Sequence, residues 1–261
     1  MSRPGWCEVN GVALRRMRGG RGPAPLVLIH EIGGTLESWD AVADRLDGEC
    51  DILRYDQRGC GLSEKPRGPL TMDQLVADLD ALMTHERMDG AVLAGCAIGG
   101  TVALSFAAAH PDRTRAVLAM APATGIPAER RAATLAAANR VEAEGQRPGL
   151  AAKLARAWPP SIRDGGDGFA ALRLRRLTTD PVSTGQMLRM LAALDIAPIA
   201  AAQRRPVTVL AGRHDGDRPP EGVAAVAATI PGARFRAVAS GHFMHVHAPD
   251  IVADEVRLLL G

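Results

Sequence analysis

Apolar and polar positions alternate along this chain on two periods. Runs dominated by aliphatic residues recur, LVLIH at 26–30, DILRY at 51–55, AVLAG at 91–95, RAVLAM at 115–120 and VTVLAG at 207–212, with stretches of helical period between them. Strands that lack a polar face must be covered on both sides, which is the pattern of a parallel sheet between two helix layers. Thr71 and Gln74 stand three apart ahead of one helical stretch, a capping box that predicts a helix running to about His85. A second, alanine-rich helix is predicted from Ala97 to His110, where Pro111 stops it. Between Met120 and Val207 the strand pattern lapses: AERRAATLAAANRVEAEG, GLAAKLARAW, FAALRLRRLTTD and VSTGQMLRMLAALD all read as helical. The expected architecture is an α/β core made by residues 1–121 and 206–261. Residues 122–205 would be inserted as a helical cap over the carboxyl edge of the sheet, where such sheets bind ligands.

Composition narrows the classes without naming a reaction. A hydrophobic fraction of 47% with 23% charged residues is that of an ordinary folded chain rather than a disordered one. The formal charge of +2 supplies no field for nucleic acid. No apolar run reaches about 18 residues, and MSRPGWCEVNG lacks a signal-peptide core, so a cytoplasmic protein without a membrane or nucleic-acid partner is expected. Cys7, Cys50, Cys60 and Cys96 show no CxxC spacing and read as reduced structural thiols. A small-molecule substrate is the expected partner, and a homodimer is compatible with the sequence.

Chemistry concentrates in five short stretches. GCAIG at 95–99 follows the strand AVLAG and opens a helix; LVLIHEIGGTLESWD, LRYDQRGCGLSEKP, VTVLAGRHDGDRPP and ASGHFMHVHAPD lie before and after it. In that order they resemble the α/β-hydrolase superfamily, and the wording of GGTLESWD and YDQRGCGLSEKP is most similar to the 3-oxoadipate enol-lactonase group. The resemblance covers nearly the whole chain and implies an α/β-hydrolase fold and hydrolase chemistry without cofactor; no metal is expected at His242, His245 and His247, because the latter two should begin the next helix and face elsewhere. It further implies that Asp215 is the triad acid and His242 the base, and that the backbone N–H groups of Ile32 and Ile98 form the oxyanion hole. The nucleophile position falls on Ala97, which has no reactive atom.

A second departure accompanies the first. The histidine ending the strand is usually followed by glycine in this superfamily, and here His30 is followed by Glu31. In hydroxynitrile lyases of the same fold a functional side chain stands at that place. Glu31 is therefore expected near His242 across the pocket, its pKa raised by desolvation and able to act as acid or base. Two altered positions favour a natural variant over a serine replaced by alanine in an ordinary enzyme.

The leading expectation is an enzyme acting on a small lactone, ester or C–C bonded keto substrate, carboxylated or not, with His242 and Asp215 activating water or moving protons. Three rivals stay open: a non-hydrolytic lyase, decarboxylase or isomerase using Glu31 and His242; an inactivated enol-lactonase or esterase; and a non-enzymatic ligand-binding protein. Trp158 and Arg175 are the expected substrate contacts, Arg175 belonging to the run of Arg173, Arg175 and Arg176, with Met187 and Met190 as core or lining. Asp56 and Arg58 read as structural. Cys96 is expected to point away from the site, and His245 and His247 to begin the next helix and face elsewhere.

Overall fold

The computed structural model describes residues 3–163 and 165–261. Its strands are β1 (Gly5–Val9), β2 (Val12–Gly19), β3 (Ala24–Ile29), β4 (Cys50–Tyr55), β5 (Ala91–Cys96), β6 (Thr114–Met120), β7 (Val207–Gly212) and β8 (Arg234–Val238). The helices before β7 are α1 (Asp40–Arg45), α2 (Met72–His85), α3 (Ile98–Ala109), α4 (Ala128–Glu144), α5 (Arg147–Ala157), α6 (Gly168–Leu177), α7 (Pro181–Ala193) and α8 (Ala197–Ala201). After it come α9 (Pro220–Ala227), α10 (Met244–His247) and α11 (Pro249–Leu260).

The strands form one sheet in the order β1-β2-β4-β3-β5-β6-β7-β8, parallel from β4 to β8 and antiparallel at β1 and β2. All five apolar runs are strands of this sheet, and each is buried for nearly its whole length. Helices on one face bury Leu79, Leu82, Val102 and Phe106 against it, and helices on the other bury Trp39, Val252 and Val256. The α/β-hydrolase architecture expected from the sequence is thus the one observed. Among the described residues, every element between β6 and β7 is helical.

Three strands lay outside the apolar-run pattern. β1 and β2 form a hairpin about Asn10 and Gly11, both at positive φ, a turn whose Asn-Gly dipeptide was a readable signal. Polar residues of β2 such as Arg15 and Arg18 escaped the pattern because they are neutralised by Glu37, Asp56 and Asp51. β8 is an edge strand, where Arg234 and Arg236 pair with Glu255 of α11. A polar face is affordable there because one edge is open to water.

The capping box at the start of α2 is formed as expected, with Gln74 N–H donating to Thr71 Oγ1 at 3.2 Å and Thr71 N–H to Gln74 Oε1 at 2.9 Å. Replacing Thr71 by alanine should cost about 1 kcal/mol of stability, read as a lower urea midpoint with an unchanged slope.

Candidate functional site

The site begins at a strained turn. Ala97 joins β5 to α3 with φ 53° and ψ −116°, a conformation that costs a non-glycine residue about 1–3 kcal/mol. The turn is held from both sides, Ala97 N–H donating to Met120 O at 2.9 Å and Ala97 O accepting from Ala123 N–H at 3.1 Å. It also packs too closely for side chains. A Cβ on Gly95 would lie 2.2 Å from the carbonyl carbon of Gly99, and one on Gly99 would lie 2.2 Å from the carbonyl oxygen of Ile29. The geometry that would present a nucleophile is intact although the side chain at its tip is a methyl group.

Loops at the carboxyl ends of β7 and β8 supply a linked pair. His242 Nδ1 lies 2.6 Å from Asp215 Oδ2, both residues buried. Asp215 Oδ1 accepts the N–H groups of Asp217 and Arg218, each at 2.9 Å, so the carboxylate is fixed in orientation before it meets the ring. The backbone of His242 is pinned by its N–H donating to Ala157 O at 2.7 Å, which ties the loop to the end of α5. A buried carboxylate on Nδ1 selects the tautomer that leaves Nε2 free to accept a proton.

His242, Ala97, Ile32, Ile98 and Glu31 all border one cavity of about 390 Å³, roofed by residues of α4 to α7. Ile98 is the first residue of α3, so its N–H has no intrahelical acceptor. Ile32 follows the end of β3 on the same wall. Cys96 points away: its Sγ contacts His242 O at 3.4 Å, and burial pushes the thiol far above its ordinary pKa, so it is no nucleophile.

Glu31 departs from expectation in its partners and in its charge. It is 1% exposed, and its carboxylate lies 3.0 Å from His245 Nε2 and 3.5 Å from Arg176 Nη2. These are ion-pair distances without hydrogen-bond alignment, since none of the carboxylate oxygens or His245 ring nitrogens has a well-directed partner. Burial pushes the carboxyl up, but the pull of His245 and Arg176 outweighs it and leaves the group well below the usual carboxylate range. The expected raised pKa is thereby corrected: desolvation acts, and a neighbouring cation and histidine overrule it. Gly34 and Gly33 accommodate this pair, since a Cβ on Gly34 would lie 2.7 Å from Glu31 Oε2 and one on Gly33 2.9 Å from Arg176 Cδ. Such complementarity over three elements marks Glu31 as an integrated feature of this chain.

His30 is a pin for the same loop. Its Nδ1 bonds Glu31 O at 2.7 Å and its Nε2 accepts Gln57 N–H at 3.0 Å, a pattern that requires the neutral ring; burial lowers its pKa accordingly. Asp56 and Arg58 are structural as expected, Asp56 accepting the Leu36 and Leu62 N–H groups and Arg58 pairing with Asp78.

Three other expectations are corrected. Trp158 does not line the cavity: it packs edge-on to Phe169 and His247 in a small cluster with Leu150, Leu154 and Phe243. Arg175 is likewise outside the lining, and its neighbour Arg176, buried with Leu172, faces in. The four-residue spacing of Leu172 and Arg176 on one helix face was the signal that separates them. His245 does not face elsewhere but stacks on Trp39, ring centroids 4.5 Å apart, beneath Glu31. His247 does face elsewhere as expected, using both ring nitrogens structurally, on Ser240 Oγ and Ile162 O, each at 2.9 Å. Met187 is core against Cys60, whereas Leu188 and Leu191 line the cavity from α7.

Comparison with known proteins agrees with this fold. The 3-oxoadipate enol-lactonase 2 of Acinetobacter baylyi is 28% identical over 207 residues, which is 78% of this chain and 76% of that protein. A dihydrolipoyllysine-residue acetyltransferase component of an acetoin cleaving system from Pseudomonas putida is 36% identical, but the match spans 46% of this chain and only 33% of that protein's length. Among solved structures, the enol-lactonase from Burkholderia xenovorans LB400 superposes with a TM-score of 0.90 at 28% identity, covering 98% of this chain and 99% of that one. A thermophilic esterase from Thermogutta terrifontis, malate bound, superposes at 0.91 with 25% identity over 99% and 98% of the two chains. Residues 26–255 match the alpha/beta hydrolase family. By matched length, by sheet order and by the strained turn that ends β5, this chain is a member of the alpha/beta hydrolase family, akin to its esterases and enol-lactonases.

Proposed function

We propose that the protein hydrolyses a small lactone or ester by direct attack of water, without an acyl-enzyme. The observation that carries this reading is the His242–Asp215 pair, joined at 2.6 Å and facing the same cavity as a residue 97 that is too short to attack. A water on His242 Nε2 would lose its proton to the ring as its oxygen bonds the carbonyl carbon. The oxyanion so formed would be received by the N–H groups of Ile32 and Ile98. Collapse then breaks the bond to the alkoxide or enolate oxygen, which takes the proton back from His242, leaving a carboxylic acid and an alcohol or enol. Asp215 holds the ring and stabilises its protonated form during the step.

Glu31 is a positioning residue in this scheme. Ionised and already matched by His245 and Arg176, it makes a poor base, and its place at the end of β3 sets the loop that carries Ile32. The proton-transfer reactions without hydrolysis lose their second base accordingly.

The test is a single turnover in oxygen-18 water with a lactone or ester that the protein consumes. One solvent oxygen should enter the carboxylate, and no adduct should be found on the peptide containing residue 97; product free of solvent oxygen would overturn the proposal. A complementary gain is expected from Ala97→Ser. The strained turn would deliver a hydroxyl beside His242, so hydrolysis of p-nitrophenyl acetate should rise at least about 10²-fold, with covalent labelling at position 97 by a fluorophosphonate.

A further inference from the structure

Charges around the cavity do not balance. Five cationic side chains border it from separate parts of the chain: Arg130 on α4, Lys153 and Arg156 on α5, Arg176 on α6, and Arg218 in the loop after β7. Two carboxylates face them, Glu31 and Asp217, and both are engaged, Glu31 with Arg176 and Asp217 with Arg156 at 2.9 Å. Among the described residues, Arg130, Lys153 and Arg218 have no carboxylate within 4.0 Å. Arg218 has only the Thr124 hydroxyl, at 3.5 Å, while the nearby Asp215 is committed to His242 and to two backbone N–H groups.

Three unmatched cations converging on one concave wall repel one another and focus a positive potential into the cavity. Burial of the ammonium among the wall and the repulsion of Arg176, Arg156 and Arg218 push Lys153 down to about 8, against the pull of Asp217, although the residue as a whole is exposed. Burial and Arg130 act in the same direction on Arg218. An anionic ligand relieves this repulsion, and no acidic side chain of the wall is free to do so.

Resting on the reading that a lactone or ester reacts in this cavity, we propose that its substrate carries at least two negative charges remote from the scissile bond, held by Arg130, Lys153 and Arg218. A pair of carboxylates and a phosphate monoester share this chemistry, and both suit the donors, since guanidinium forks and ammonium groups bind either. One charge alone would leave most of the excess unmatched.

Calorimetric binding of three probes to the full chain at pH 7 and low salt tests the assignment: butyrate, succinate and glycerol 2-phosphate. At least one dianion should bind about tenfold or more tightly than butyrate, the tighter of the two identifying the carboxylate or phosphate source. Lys153→Met and Arg130→Gln should each weaken the dianion about tenfold and leave butyrate nearly unchanged, Lys153→Arg should retain it, and Arg175→Gln, outside the cavity, should have no effect. Dianion affinity should also fall between pH 7 and 10 as Lys153 loses its proton, with Arg156, Arg176, Arg218 and Asp217 unchanged in charge, and this fall should vanish in Lys153→Met. Equal affinity for butyrate and both dianions would overturn the inference, as would dianion binding that survives combined replacement of Arg130, Lys153 and Arg218. Selective binding is measured without turnover. Its loss beside His242-dependent hydrolysis sinks this inference alone, and its presence beside His242-independent hydrolysis sinks only the catalytic reading.

Discussion

His242→Ala should lower kcat for the cognate lactone or ester by about 10²–10⁴-fold and leave KM within a few-fold. The size follows from what the ring supplies. In the proposed scheme, general-base removal of the water proton and its return to the leaving oxygen both pass through Nε2, and Asp215 has no other imidazole to orient. Asp215→Asn should fall in the same range, because an amide on Nδ1 permits the tautomer with the proton on Nε2, which cannot accept one. Steady-state kinetics at pH 7 with circular dichroism of each variant makes the comparison, and turnover that persists in both would remove the dyad from the mechanism.

The second large effect is on stability. Glu31→Gln should destabilise the fold by about 3–5 kcal/mol at pH 7, because it strips the counter-charge from Arg176, which is 7% exposed, and removes the carboxylate beside the fully buried ring of His245. In a chain of this size the melting temperature would fall on the order of 10 °C. The pH dependence has a definite sign. The folded-state pKa of Glu31 lies below its ordinary value of 4.5, so its contribution is complete above about 4.5 and is lost as the pH falls towards the folded value. The stability gap between the native chain and Glu31→Gln should therefore be constant from pH 7 to about 5 and shrink below 4.5. Adding Arg176→Met to Glu31→Gln should recover part of the loss, since it removes the uncompensated cation. Denaturant unfolding across that pH range measures each of these, and a gap that widened in acid would refute the ionised, paired state of Glu31.

The helical insertion hangs on the same pair. Arg176 belongs to α6 and Glu31 to the loop after β3, so the ion pair ties the roof of the cavity to the sheet beside Ile32. Loosening it should disturb substrate positioning as well as stability. On the proposed scheme, that coupling would let a carboxylate matter at this site without entering the chemistry.

Much of this was legible in one dimension. The five apolar runs determined a parallel sheet because a strand without a polar face has to be buried on both sides, and the capping residues at Thr71 and Gln74 fixed where α2 begins. The order of GCAIG, Asp215 and His242 pointed to the turn and to the two residues that the fold brings to 2.6 Å of each other, since all lie near strand ends whose sequence context is local. Pairings between distant elements had no such context. Nothing local to Glu31 states that His245 and Arg176 lie against it, so its charge state followed the tertiary structure rather than burial alone. Trp158 and Arg175 were misplaced because a helix turns about 100° per residue, and one position decides whether a side chain faces a cavity or its own cluster. Arg130, Lys153 and Arg218 sit on three segments far apart in sequence, and only the fold gathers them into one positive wall. The sequence by itself determined the sheet and the strained turn, because backbone propensity and apolar period are local; which charges meet was decided by tertiary structure, because electrostatic interaction depends on distance in space.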